Sequence, residues 1–254
     1  MARYRFRTQR LYVDHPLTVG ADLVLDKAQS NYLLNVLRLA DGAAILVFNG
    51  RDGEFEAKVT VPSKKVAGLV IGDQLRPQPH LSHLEYCFAP LKQARLDYMI
   101  QKAVEMGAGT LRPVLTQHTQ VQRVNLERMR ANAIEAAEQC GILAIPDVSE
   151  PVRLDAFLSD FPKMAADGRR LIFCDEGNEN DDPAEILKPL KGSPISVLIG
   201  PEGGFSDEER SLLKSLPFVV SIPLGPRILR ADTAAIAALA LIQSTIGDWV
   251  ASSH

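Results

Sequence analysis

Residues 197–209 read VLIGPEGGFSDEE. The run Ile195–Ile199 is short and apolar, the pattern of a strand buried on both faces. It stops at Gly200. Beyond the turn, Ser206 with Glu209 three residues later is a capping-box signal for a helix start. Glycine supplies positive φ at such a junction, and a plain turn is one reading. Three glycines and one proline in the five positions of GPEGG exceed that need. Glycine also lets backbone N–H and C=O groups approach a ligand, and open α/β sheets bind ligands beyond the carboxyl ends of their strands. The loop has neither the Gly-Lys-Ser/Thr ending of a P-loop nor a G-x-G-x-x-G pattern. A ligand other than a nucleoside triphosphate or dinucleotide is therefore favoured.

Residues 219–242, VVSIPLGPRILRADTAAIAALALI, repeat the arrangement. A β-branched run again ends in Leu-Gly-Pro. Arg227, Arg230, Asp232 and Thr233 follow and open a helix rich in alanine and leucine, with Asp232 or Thr233 as the expected N-cap. The expectation is of two adjacent strands, each feeding a helix, with their glycine loops side by side.

Upstream, strand and helix alternate. Leu84–Ala89, Leu111–Leu115 and Leu171–Cys174 read as strands. Arg95–Met106 reads as a helix with Leu96, Met99, Ile100, Ala103 and Val104 on one face and Gly107 at its end. Asn125 is placed to cap a helix running to Gly141. This alternation predicts an α/β fold, a mostly parallel sheet with helices on both faces. Before the Pro-rich linker RPQPHLSH (Arg76–His83) the pattern changes. Ala43–Phe48, Glu54–Val61 and Val66–Ile71 are strands, the first two around the hairpin signal NGRDG. One short helix over Ala28–Leu37 interrupts a small β-barrel.

The chain has 254 residues, 46% hydrophobic and 23% charged, which is ordinary for a soluble protein. No apolar run approaches the ~18 residues of a membrane span, and the N-terminus has no secretory h-region. The cytoplasm is the expected compartment. Three scattered cysteines and five histidines make no metal spacing, so no metal is expected. Net charge is −3, yet residues 1–76 carry 11 Lys and Arg against 8 Asp and Glu, and the remainder 17 against 23. Arg3, Arg5, Arg7 and Arg10 form an arm that can reach phosphates. A solvated edge strand with alternating arginines accounts for them equally.

The two loop motifs together resemble the SPOUT methyltransferases. More closely, LIGPEGGFSDEE and LGPRILRADTA are similar to the two C-terminal signatures of the family that methylates N3 of a uridine in 16S ribosomal RNA. YMIQKAVEMGAGTLRPVLT (98–116), AIEAAEQCG (133–141) and NYLLNVLRLADG (31–42) match the same family, so the resemblance spans almost the whole chain. It implies a SPOUT-like methyltransferase domain over 84–254 with a C-terminal trefoil knot, and a PUA-like β-barrel over 1–76 that binds RNA. The knot comes from the resemblance alone. S-adenosylmethionine is the implied cofactor, 16S RNA or the assembled small subunit the implied partner, and a homodimer the implied assembly.

The resemblance also assigns residues. Gly200, Glu202, Gly203 and Gly204 form one wall of the cofactor site. Leu224, Gly225, Ile228 and Leu229 form the other, and Thr233 belongs with them. Arg38 and Arg227 join Arg3, Arg5 and Arg7 as RNA contacts. Uracil N3 is protonated at neutral pH, and removing its proton spreads negative charge onto O2 and O4. Arg230 is the candidate cation for that charge, with Arg227 second. A phosphate contact or a structural ion pair accounts for either arginine equally. Asp232 is placed to take the proton or order a water that does. Relatives usually have glutamate there, and a plain N-cap is the competing role. Relatives also often have arginine where His118 and Ile142 stand; Arg123 and Arg128 are candidate replacements. Glu135 and Glu138 form either an acid pair or an exposed helical face. The competing function is a non-catalytic RNA-binding assembly factor that keeps the fold. A nucleotide hydrolase lacks its phosphate and metal ligands here.

Overall fold

The structure is a computed structural model and describes residues 8–175 and 182–250. It divides into two compact units. Of the described residues, one comprises 8–80 with 137–145, the other 81–136 with 146–175 and 182–250.

The first unit is built on a five-stranded sheet. Its strands are β1 (Arg10–Tyr12), β2 (Asp22–Val24), β3 (Ala44–Phe48), β4 (Glu54–Ser63) and β5 (Val66–Arg76), in the order β1-β3-β4-β5-β2. Only β1 and β3 run parallel. Period-two alternation puts Ile45 and Val47 of β3, Phe55, Ala57 and Val59 of β4, and Ala67, Leu69 and Ile71 of β5 in one core. The Asn49–Gly53 loop joins β3 to β4. Its Asn49 Oδ1 accepts the N–H groups of Arg51 and Asp52 at 2.9 and 2.8 Å, which pins the turn. The expected helix over 28–37 is in fact two pieces. Helix α1 (Lys27–Asn31), capped by Asp26, runs into a π-helical turn over Tyr32–Val36. The chain leaves that turn through Arg38 at φ +56°, the one non-glycine residue with positive φ among those described.

The carboxylate of Glu54 is buried in this unit. Arg10 Nε and Arg76 Nη2 both reach its Oε1 at 2.8 Å, and Arg76 Nε reaches Oε2 at 2.8 Å. Glu138 is occupied too, since its Oε1 accepts the Tyr12 N–H at 2.7 Å. This contact ties Glu138 to β1.

The second unit is an all-parallel sheet of β6 (Leu84–Phe88), β7 (Thr110–Leu115), β8 (Asp147–Val148), β9 (Val152–Arg153), β10 (Arg170–Cys174), β11 (Ile195–Ile199) and β12 (Val219–Ile222). The order is β12-β10-β11-β6-β7-β8, with β9 also on β7. Its helices are α2 (Gln93–Glu105), α3 (Leu126–Cys140, of which residues 126–136 belong to this unit), α4 (Leu154–Ala165), α5 (Pro183–Leu187), α6 (Asp207–Ser215) and α7 (Ala231–Thr245). Strands β6 and β11 are buried along their whole length. On one face Leu154, Phe157 and Phe161 of α4 and Leu213 of α6 pack on Cys87, Phe173 and Leu198. Val197 points the other way and is equally buried, and there α7 lies against β11 and α2. Helix α2 buries the expected five residues and ends at Gly107, φ +79°. Asn125 caps α3 by accepting the Arg128 N–H at 3.0 Å.

One expectation fails. The two glycine-loop strands are not adjacent, because β10 lies between β11 and β12 and pairs with both. Strand order is a tertiary property, and the local patterns of 195–199 and 219–222 carry no sign of it.

Candidate active site

All three of β10, β11 and β12 end on the same edge of the sheet, because they are parallel. Beyond that edge lies a cleft of about 250 Å3. The first wall is the loop after β11. Gly204 turns at φ +68° and donates its N–H to Pro201 O at 2.9 Å. Gly200 is required for a different reason. A Cβ there would sit 2.7 Å from the Phe205 ring, which stands edge-on to Phe173 with centroids 5.2 Å apart. The loop then closes into α6 by the expected capping box. Ser206 Oγ accepts the Glu209 N–H, and Glu209 Oε2 accepts the Ser206 N–H, at 3.2 and 3.0 Å.

The second wall follows β12. Gly225 turns at φ +92°, and Leu224, Ile228 and Leu229 present apolar surface to the cleft. Helix α7 starts at Ala231, with Arg230 as its N-cap residue and no side-chain cap. This corrects the expectation of an Asp232 or Thr233 cap. Asp232 lies inside the first turn, where its carboxylate accepts the Thr233 N–H at 2.9 Å and complements the helix dipole.

Of the candidate cofactor residues, Gly200, Glu202, Gly204, Leu224, Gly225, Ile228 and Leu229 line the cleft together. Gly203 and Thr233 are not in the lining. Arg227 and Arg230 both line it, are exposed, and make no ion pair among the described residues. Asp232 is half-buried just outside the lining. Arg38 is an exposed residue of the first unit. Arg3, Arg5 and Arg7 lie outside the described residues. Arg128 is committed to Asp97, with Nη2–Oδ2 at 2.6 Å and Nε–Oδ1 at 3.1 Å. The hydrogen bonds from Arg128 hold the Asp97 carboxyl below its ordinary value.

The floor of the cleft escaped the sequence reading. Phe173, Cys174 and Asp175 reach it because β10 is the middle strand of the three. The Asp175 side chain is wholly buried, with Arg210 Nη1 at 2.9 Å and Lys214 Nζ at 2.5 Å. Burial pushes the Cys174 thiol up to about 12. It therefore stays protonated at neutral pH and is a poor nucleophile. Arg210 recurs in the lining from α6. The apolar run 171–174 ending in an acid was the one available signal, and its neighbours were not readable.

An RNA methyltransferase domain model matches residues 77–243, and an RNA methyltransferase PUA domain model matches 25–71. The chain belongs to the RNA methyltransferase family. Among its relatives, ribosomal RNA small subunit methyltransferase E of Rickettsia conorii is 31% identical, with 92% of this chain and 94% of the relative covered. A Legionella pneumophila methyltransferase solved with its cofactor S-adenosylmethionine superposes with a TM-score of 0.79 at 31% identity, covering 94% of this chain and 98% of that one. A ribosomal RNA small subunit methyltransferase E from Neisseria gonorrhoeae bound to S-adenosylmethionine gives 0.81 at 27%, covering 96% and 100%.

The cleft suits such a family's cofactor. Its walls are glycine loops that offer backbone groups at close range, and Leu224, Ile228 and Leu229 supply apolar cover. Among the described residues no group of His, Cys, Asp or Glu could hold a metal ion. No described helix is long and apolar enough to cross a membrane.

Proposed function

We propose that this protein transfers a methyl group from S-adenosylmethionine to N3 of one uridine in the 16S RNA of the small ribosomal subunit. The observation that carries the reading is the cleft itself, where both Gly-Pro loops meet beside two arginines that make no ion pair among the described residues. The cofactor, when bound, supplies a methyl group on a sulfonium. The two loops hold it through backbone groups, with Leu224, Ile228 and Leu229 covering its apolar surface. Gly203 and Thr233 contribute to the same cofactor site. Arg230 faces the uracil oxygens and stabilises the negative charge that develops when N3 loses its proton. Arg227 sits beside it and takes a phosphate. Asp232, in the first turn of α7 and off the lining, acts on the proton through a water. Positioning carries most of the rate, since restricting reactants can remove about 7–11 kcal/mol of barrier.

On this reading residues 1–76 are a PUA-like barrel that binds RNA, with Arg3, Arg5, Arg7 and Arg38 as contacts. Residues 84–254 are the catalytic domain, with a trefoil knot at the cofactor loops, and the protein works in the cytoplasm. The protein is a homodimer. Ile228 is 88% exposed and Trp249 54%. On α7, Ala235, Leu239 and Ile242 are buried, yet Ile236 and Leu241 on its other faces are only half-covered, which leaves apolar surface for a second copy.

The test is deletion of the gene in its host, followed by digestion and mass spectrometry of the 16S RNA. One 3-methyluridine should disappear. An intact 3-methyluridine refutes the substrate assignment, and leaves the non-catalytic assembly factor as the reading to pursue.

A further inference from the structure

We infer that His118 is a positioning residue of the cofactor loop, holding the Gly203–Gly204 segment in the conformation that walls the cleft; the inference rests on the cofactor reading above. His118 Nδ1 lies 3.1 Å from Gly203 O and 3.2 Å from Gly204 O. A carbonyl oxygen only accepts, so Nδ1 must carry the proton and donates to both. The ring also packs on the loop: a Cβ at Gly203 would stand 3.3 Å from His118 Cβ. Gly203 is outside the cleft lining and has His118 against it.

The imidazole is delivered by a locked turn. Thr116 and Thr119 are buried. The Thr116 N–H donates to Thr119 Oγ1 at 2.8 Å, the two hydroxyls lie 2.9 Å apart, and the Thr119 N–H returns to Thr116 O at 3.1 Å. Next to His118, the Gln117 N–H donates to Glu209 Oε1 at 2.8 Å, the same carboxylate whose other oxygen closes the α6 capping box. The turn after β7 therefore grips the glycine loop at two points, one at its middle and one where it enters α6. Before the first of these points the loop has its internal Gly204–Pro201 bond and the half-exposed Arg95–Glu202 pair at 3.3 Å. Two consecutive glycines have the largest backbone freedom to lose, so a fixed donor on their carbonyls acts where ordering is most needed. Position 118 thus has a task within the protein, whatever it contributes to RNA.

Three variants separate donor from bulk. His118→Ala removes both, His118→Phe keeps the ring without a donor, and His118→Asn keeps a donor close to where Nδ1 sits. S-adenosylmethionine binding is read by calorimetry, loop ordering by hydrogen exchange of the amides of 202–205 in the free protein, and RNA binding separately. The alanine and phenylalanine variants should bind cofactor more weakly and exchange those amides faster, by roughly 2–12-fold, the worth of one neutral hydrogen bond. The asparagine variant should stay within about two-fold of wild type on the same scale. Wild-type cofactor affinity and exchange in both His118→Ala and His118→Phe would overturn the inference, as would a loss confined to RNA affinity. If the unaltered protein binds no S-adenosylmethionine, the cofactor reading fails, and the exchange rates alone still decide the role of His118.

Discussion

Gly225→Val tests the second wall of the cleft through backbone strain. Gly225 sits at φ +92°, and a Cβ built on it meets nothing within 4 Å. The first carbon of a side chain therefore strikes no protein atom. What it adds within the protein is the conformational penalty of a non-glycine residue in that region, about 1–3 kcal/mol. If the free loop can swing to another conformation, the penalty falls on binding, and S-adenosylmethionine affinity drops about 5–150-fold. If it cannot, the penalty falls on folding. Calorimetric binding and thermal unfolding on the same samples measure both. We expect most of the loss in binding, because the exposed loop has room to relax. Gly200→Ala is the contrast. Its Cβ would strike the Phe205 ring at 2.7 Å, and Phe205 leans on Phe173, so this substitution should lower unfolding stability as well. A Gly225→Val protein with combined losses below about 0.5 kcal/mol would show that the left-handed turn is not what forms the wall.

Arg230→Ala should lower kcat by about 10²–10³ with little change in cofactor affinity, and raising the pH should partly restore the rate as more N3 ionises unaided; a pH-independent defect would contradict the charge-stabilising role. Burial pushes the Glu54 carboxyl up, but hydrogen bonds from Arg76 and Arg10 outweigh it and hold it below the ordinary value. A depressed folded value gives stability present above the unfolded value and lost as pH falls through the folded one, so Glu54→Gln should cost about 3–5 kcal/mol near neutrality and progressively less below about pH 4; an unfolding difference that does not shrink in acid would refute this. Light scattering at micromolar concentration should give the mass of two chains, and a monomer would remove the dimer. Replacing Arg3, Arg5 and Arg7 together should flatten the salt dependence of RNA binding by roughly 0.9 per lost duplex phosphate contact and leave cofactor affinity unchanged.

Local patterns were read well wherever the physics is local. The Ser206–Glu209 capping box, the Asn125 cap and the five-residue face of α2 all follow from spacing along one helix, and each is present. The NGRDG turn follows from side chains that bond their own backbone. Helix α4 was passed over, although Leu154, Phe157, Leu158 and Phe161 have the i, i+3, i+4, i+7 spacing of a buried face. Helix α7 starts two to three residues before the expected cap, because a good capping residue at 232 loses to a chain already helical at Ala231. Within the site, the residues of both glycine loops were legible because glycine and proline punctuate the chain. Asp175, Arg210 and the contact of His118 with Gly203 were not, since each depends on which strands and loops become neighbours.

Strand β6 finds its β11 neighbour very late. Glu85 and Ser196, which share a hydrogen bond across that pairing, are 111 positions apart. At a synthesis rate of roughly 5–20 residues per second, β11 leaves the ribosome about 6–22 s after β6. For most of that interval the available parallel neighbour of β6 is β7 and its other edge is open, although every one of its five residues is destined for the interior. An unpaired edge of that kind is a template for wrong partners. The chain therefore emerges from the ribosome with this interior strand unpaired along its β11 side until residue 199 has been made.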